Sequence, residues 1–451
     1  MTPAPAASAA AYTTAPIGRT MLRTAAAMLA GTLALSGYNI VDTYFVGRLG
    51  TIPLAAMGFT FPVVMLFGCV FRGIATGIMT TSAQALGAGD RPRAANIISV
   101  GLLLVVLVSA AIAAIGMATA RPLFELCGAS GEVLPEVIGY MDIWYFGCVT
   151  SALCMTGNDL LIASGHARTT ATMMVLGLVV NALLDPPFIF GFASLPPLGI
   201  RGAALATILS QALSTLAVLS LLRFRHRLIV VPRLSLRNIR GIVLLVARYA
   251  IPGTLGMVAM PLGSAVLTWI TSRFGDAAVA AVAASGRLEM LAFTFPMALG
   301  MSIVPMVAQN YGARLHDRIR TCFRFSTGFA FFYLLAMAVL FTAAAPWLVR
   351  PFSDDPEVRR IMILCLRIVS WAFPAQEIHR FCGFFQLGTG HPTIAAWLNA
   401  GRILFLLLPF SFLALLTHCL PALFAARTCA DVLACLIALY LARRLLSRLG
   451  P

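Results

Sequence analysis

Charge disappears from this chain for long stretches. Residues 94–120 hold no charged side chain, and comparable apolar runs recur from about residue 21 to residue 442. A helix needs about 20 apolar residues to cross a hydrocarbon core. In that core every backbone polar group must be paired within the protein, so only helices and closed barrels qualify. The runs are far longer than barrel strands and therefore read as transmembrane helices. Composition agrees: 11% of the residues are charged, against about 25% in soluble domains.

The runs predict spans at 21–46, 54–82, 94–119, 134–160, 168–190, 201–222, 243–271, 278–308, 319–346, 360–386, 391–416 and 421–442. The breaks carry turn residues, as at Gly87–Pro92, Pro196–Pro197 and Ser353–Pro356. The expected class is an all-α membrane protein, with twelve transmembrane helices in two parallel-repeat six-helix bundles around a central cavity. The expected segments are a disordered cytoplasmic tail (1–18), an N-terminal bundle (19–222), a basic cytoplasmic linker (223–242) and a C-terminal bundle (243–445).

The net charge is +16, and every basic residue is Arg. The arginines sit in short gaps between apolar runs, which points to topology and not to nucleic acid. With the N-terminus placed inside, seventeen loop and terminal arginines fall inside and seven outside. A multi-pass protein of a bacterial inner membrane with both termini cytoplasmic is expected, as a monomer in the bilayer. The ten cysteines form no C-x-x-C pair and read as small core residues, so no metal site and no cofactor are expected. The chain has no P-loop, H-E-x-x-H or nucleophile elbow, which argues against an enzyme or an ATP-driven pump.

A duplication divides the chain. A shift of 225 aligns residues 48–93 with the second half without gaps: Arg48 meets Arg273, Gln84 meets Gln309, and Arg93 meets Arg318. Gly165-His166 likewise meets Gly390-His391, where turn anchoring is the plainer reading. Each half holds six helices, an even number, so both insert the same way, as in parallel-repeat transporters.

Polar side chains inside the runs are functional candidates, because burying them at membrane depth costs several kcal/mol. Asp42 lies in the first helix, and its repeat equivalent is Leu267, so the acid stands in one half only. The plain alternative is a hydrated helix end. Asn181 and Asp185 share a face of the fifth helix, followed directly by Pro186-Pro187, which strip donors from upstream carbonyls. This combination suits a cation or proton; a helix stop near the surface is the alternative. Glu289 reads equally as a functional acid or as an ion pair with Arg287. Glu377 lies beside His379 and Arg380, where a polar lining is the plain reading, with Asp431 a weaker candidate. Arg72, inside the second helix, needs a carboxylate or water, and Asp42 is one choice. A minority of the 19 Met and 29 Phe residues would line a cavity for aromatic or cationic ligands.

The segments NIVDTYFVGRLG, AQALGAGD, VNALLDPPFIFG and LGIRGAALAT, followed by RLEMLAF, PMVAQNYGA and LGTGHP, resemble the multidrug and toxic compound extrusion (MATE) family, closest to its DinF-like branch. The resemblance runs from about residue 20 to 445. It implies two six-helix bundles facing a central cavity, and export of organic cations and drugs in exchange for H+ or Na+. It implies a coupling site at Asp42, Asn158, Asn181, Asp185 and Thr207, with Tyr140 in the same pocket; Asn158 and Thr207 rest on the resemblance alone. Arg72, Glu289 and Glu377 remain candidates for the substrate cavity or a secondary polar site. One departure stands out: the family's first-helix proline is Ala27 here. A lipid or lipid-linked saccharide flippase is the rival reading, and would want an arginine-lined cavity.

Overall fold

The computed structural model describes residues 11–192, 196–231 and 235–449. Among them twelve helices are long and apolar enough to cross a membrane. They are α1 (Ile17–Gly47), α2 (Thr51–Gly87), α3 (Arg91–Leu126), α4 (Val133–Ala163), α5 (Ala167–Phe190) and α6 (Ile200–Arg225), then α7 (Leu236–Ser272), α8 (Asp276–Gly312), α9 (His316–Leu348), α10 (Pro356–Gly388), α11 (Pro392–Leu416) and α12 (Leu420–Arg448). Each matches one apolar run. Several extend a turn or more past their run, because polar residues continue a helix into the interface.

The duplication is visible in the backbone. Gly50 and Gly275 both have positive φ, as do Gly165 and Gly390. Gly89 (φ 78°) has its equivalent in Arg314 (φ 58°), so the turn geometry persists where glycine does not. The bonds repeat as well: His166 N–H donates to Leu161 O, and His391 N–H to Gln386 O, both at 2.8 Å. These turns start α5 and α11, as the matched Gly-His pairs suggest.

Two compact units form, but they do not divide at the basic linker. Unit 1 is Ala27–Thr254; unit 2 is Tyr12–Ala26 with Leu255–Pro451. The start of α1 therefore packs with the second half, and the start of α7 packs with the first. These exchanged segments are repeat equivalents. In unit 2, Ile17, Met21 and Ala25 join a buried cluster with Leu299, Met306 and Phe323. In unit 1, α2 receives α7 across Gly73 and Gly77. A Cβ on Gly73 would stand 2.8 Å from Ala250 O, and one on Gly77 2.9 Å from Val246 O. Small residues allow such backbone approach between membrane helices, where packing replaces the hydrophobic effect as the driving force.

The expected disordered tail needs correction. Residues 1–10 lie outside the described residues, but Ala11–Thr14 form a helical turn and Tyr12 is buried. Tyr12 N–H donates to Gln309 Oε1 at 3.3 Å. Its carbonyl accepts from Asn310 Nδ2 at 3.1 Å and from Arg318 Nη2 at 3.0 Å. At Ala27 the helix continues without a break from Ile17 to Gly47.

The Gly73 contact sets a test. Gly73→Leu should cost about 1–3 kcal/mol by overpacking. Gly58→Ala, where a Cβ meets nothing within 4 Å, should be neutral or gain up to about 1 kcal/mol. Thermal unfolding in detergent compares them, and equal effects would sink the close-packing account.

Candidate functional site

The first-half candidates come from four helices of unit 1: α1 brings Asp42, α4 brings Tyr140 and Asn158, α5 brings Asn181 and Asp185, and α6 brings Thr207. A cavity of about 290 Å³ opens among them, lined by Tyr38, Asp42, Tyr140, Asn158 and Thr207, with Met173 and Met174 on its apolar side. Asn181 and Asp185 are fully buried and do not line it.

Local sequence explains the placement. Asn181 and Asp185 are one helical turn apart, and Asn181 Nδ2 donates to Asp185 Oδ1 at 3.1 Å. The helix does not stop at Pro186-Pro187 but runs on to Phe190. Neither proline offers an N–H to the Ala182 and Leu183 carbonyls, so extra backbone acceptors surround the acid. Asp42 lines the cavity and is itself buried, with 7% of its surface exposed. Tyr38 Oη donates to Thr207 O at 3.3 Å and lies 3.1 Å from Ser210 Oγ.

One feature sets the cluster apart. Asp42 Oδ1, Asn158 Oδ1, Asn181 Oδ1, Asp185 Oδ2 and Thr207 Oγ1 are all buried without a hydrogen-bond partner. Among the described residues, no arginine or histidine forms an ion pair with Asp42 or Asp185. Buried polar atoms are ordinarily satisfied. Five unmatched oxygens in one place, two of them on carboxylates, make a site short of positive charge. Hard cations take oxygen ligands, and a proton would satisfy a carboxylate directly.

Arg72 does not serve this site. Its Nη1 pairs with Asp159 Oδ2 at 3.2 Å, and not with Asp42. Asp159 escaped the sequence reading; its place in an apolar run beside Asn158 was the available signal.

The buried second-half acids each meet an arginine, although Asp431 Oδ2 has no hydrogen-bond partner of its own. Arg427 grips Glu289 with two bonds, at 3.1 and 2.5 Å. Arg287 is exposed, because two residues along a helix turn the side chain about 200° away. Arg380 pairs with Glu377 at 2.5 Å, and Arg402 pairs with Asp431. A cavity of about 400 Å³ in unit 2 is lined by Glu289, Gln376, Arg402 and Arg427, and also by Leu267, the repeat equivalent of Asp42. Arg402 starts a π-helical stretch ending at Leu407, two residues before Pro409, which has no N–H for the regular ladder. Arg427, absent from the sequence candidates, is the residue that neutralises Glu289.

The MatE family model matches residues 27–186 and 252–413. The two matches begin 225 residues apart, the shift found in the sequence. A relative from Shewanella oneidensis named FAD transporter is 31% identical over 431 residues, covering 96% of this chain and 95% of its own. The Multidrug export protein MepA of Staphylococcus aureus is 24% identical over 437 residues, covering 95% of each chain. The crystal structure of the Vibrio cholerae MATE transporter VcmN in the bent form is 27% identical, covers 96% of this chain and 98% of its own, and superposes with a TM-score of 0.91.

The Arg72–Asp159 pair yields a double-mutant cycle. Arg72→Met should cost about 3 kcal/mol by leaving the buried Asp159 charge uncompensated, while Arg72→Met with Asp159→Leu should return to within about 1 kcal/mol of the starting protein. Thermal unfolding reads the cycle. Losses that simply add would mean that the two charges do not stabilise each other.

Proposed function

The chain belongs to the MatE family of multi-pass membrane transporters and is not an enzyme, and on that premise we propose a secondary active antiporter. It exports organic cations and drugs in exchange for H+ or Na+ by alternating access. The membrane is a bacterial inner membrane, the termini are cytoplasmic, and the working unit is a monomer.

What supports the exchange is the set of unmatched oxygens around Asp42 and Asp185. A carboxylate held away from water and from any cation is costly in its charged form. Entry of H+ or Na+ removes that cost. Asp42 and Asp185 take the charge; Asn181 orients Asp185 through its amide; Asn158 and Thr207 supply neutral oxygens. A cationic substrate in the neighbouring cavity offers the same relief, so ion and substrate oppose each other. The opposition is reciprocal, since each must weaken the other's binding by the same factor. Tyr38, Tyr140, Met173 and Met174 give the cavity aromatic and polarizable walls suited to flat cations.

A second reading concerns the cargo. The Shewanella oneidensis relative carries the name FAD transporter, and Arg402 and Arg427 line the unit 2 cavity. Guanidinium groups suit a diphosphate, so flavin adenine dinucleotide is the first anionic cargo to try. Both arginines already hold carboxylates, which leaves the cation reading ahead. The same pairing speaks against a flippase, whose lipid phosphates would want free arginines.

The test uses purified protein in liposomes loaded with a fluorescent organic cation, under a pH gradient or a sodium gradient applied separately. Gradient-driven movement is expected, with Asp42→Asn and Asp185→Asn reducing it to the leak of protein-free vesicles. Undiminished transport by either variant would remove that residue from the coupling site. No movement of the cation, with flavin adenine dinucleotide moved instead, would favour the second reading.

A further inference from the structure

Unit 2 carries a basic pocket apart from both transport cavities. It has a volume of about 500 Å³ and lies between the first turns of α9 and the last turns of α12. Arg320 and Arg324 are four residues apart on α9 and share a face. Arg443 reaches the same pocket from α12. Thr327 and Ser447 also line it, their hydroxyls donating to Phe323 O and Arg444 O; Phe323, Leu439 and Leu446 form apolar walls. Gly328 also lines it, and a Cβ there would meet nothing within 4 Å.

The charges are unevenly matched. Arg320 pairs with Asp317 at 2.7 Å and donates to Leu446 O at 3.4 Å. Arg324 and Arg443 have no carboxylate within ion-pair distance among the described residues. Depth matters as well. Phe332, 72% exposed on α9, lies eight residues beyond Arg324, about 12 Å along the helix. The pocket therefore sits where an apolar, lipid-facing surface gives way to polar residues. Arginines that merely set topology extend singly into water and need no walled pocket. Here two unpaired guanidinium groups and an apolar wall converge. A free phosphate would use the guanidinium groups and leave the apolar wall without a role.

We propose that this pocket binds the headgroup of an anionic phospholipid from the adjoining leaflet. Arg324 and Arg443 hold the phosphate, and the open space beside Gly328 takes the glycerol backbone. Basic pockets between membrane helices suit such headgroups, and the planar guanidinium fork matches a phosphate. This site is independent of the cargo and of the coupling ion.

Binding is measured on the full chain in neutral detergent, by native mass spectrometry and by thermal stabilisation. The probes are dioctanoyl phosphatidylglycerol, dioctanoyl phosphatidylcholine and inorganic phosphate. Saturable binding of the phosphatidylglycerol alone is expected. Arg324→Ala with Arg443→Ala should weaken it about 30-fold. Gly328→Leu, which keeps every charge and fills the space, should weaken it at least about tenfold. Unfolding without lipid shows whether each variant folds, and the two variants act by separate means. Unchanged binding in both would overturn the proposal. Equal binding of phosphatidylcholine, or of phosphate alone, would overturn the assignment to an anionic lipid.

Discussion

No water is at hand in a hydrocarbon core, so a polar atom there must find its partner in the protein or carry the cost. Most of the buried carboxylates described obey that constraint by meeting an arginine. Arg72 meets Asp159, Arg427 meets Glu289, Arg402 meets Asp431, and Arg380 meets Glu377. Even the N-terminal segment is held by carbonyls that Asn310 and Arg318 satisfy. Against that background the unmatched oxygens of Asp42, Asp185, Asn181, Asn158 and Thr207 stand out. The protein that gives four buried carboxylates an arginine leaves two others without one.

The duplication makes the contrast sharper. The halves share turn geometry down to individual positive-φ residues and exchange their first-helix starts in the same way. Yet Asp42 has Leu267 as its equivalent, and Asn158 has Gly383. Architecture alone would have kept both halves alike. The second half spends its acids on arginines, and the first keeps two unpaired. A site that changes its charge in one half while the other stays fixed gives the two halves different roles.

Much of the frame was legible in the sequence, because lipid imposes long apolar runs and the runs count the helices. Asp42, Asn181 and Asp185 were legible for the same reason: polarity inside such a run is conspicuous. Partner choice was not. Glu289 lies two residues from Arg287 in sequence and bonds Arg427 in space, 138 positions away. Arg72 lacks any local acid, and its partner stands 87 positions on. Tyr12 looked like part of an uncharged tail because its anchorage runs through backbone carbonyls, which every residue has. The boundary between the compact units fell inside two helices, where neither charge nor turn residues mark it.

The most direct test of the central claim measures what leaves the protein when an organic cation binds. Calorimetric titration in buffers of different ionisation enthalpy counts released protons, and a parallel titration at fixed pH with varied sodium counts released Na+. The account predicts release of about one coupling ion for each cation bound, lost when Asp185 is replaced by Asn. Cation binding that releases neither ion, or release that persists in the Asp185→Asn protein, would contradict it.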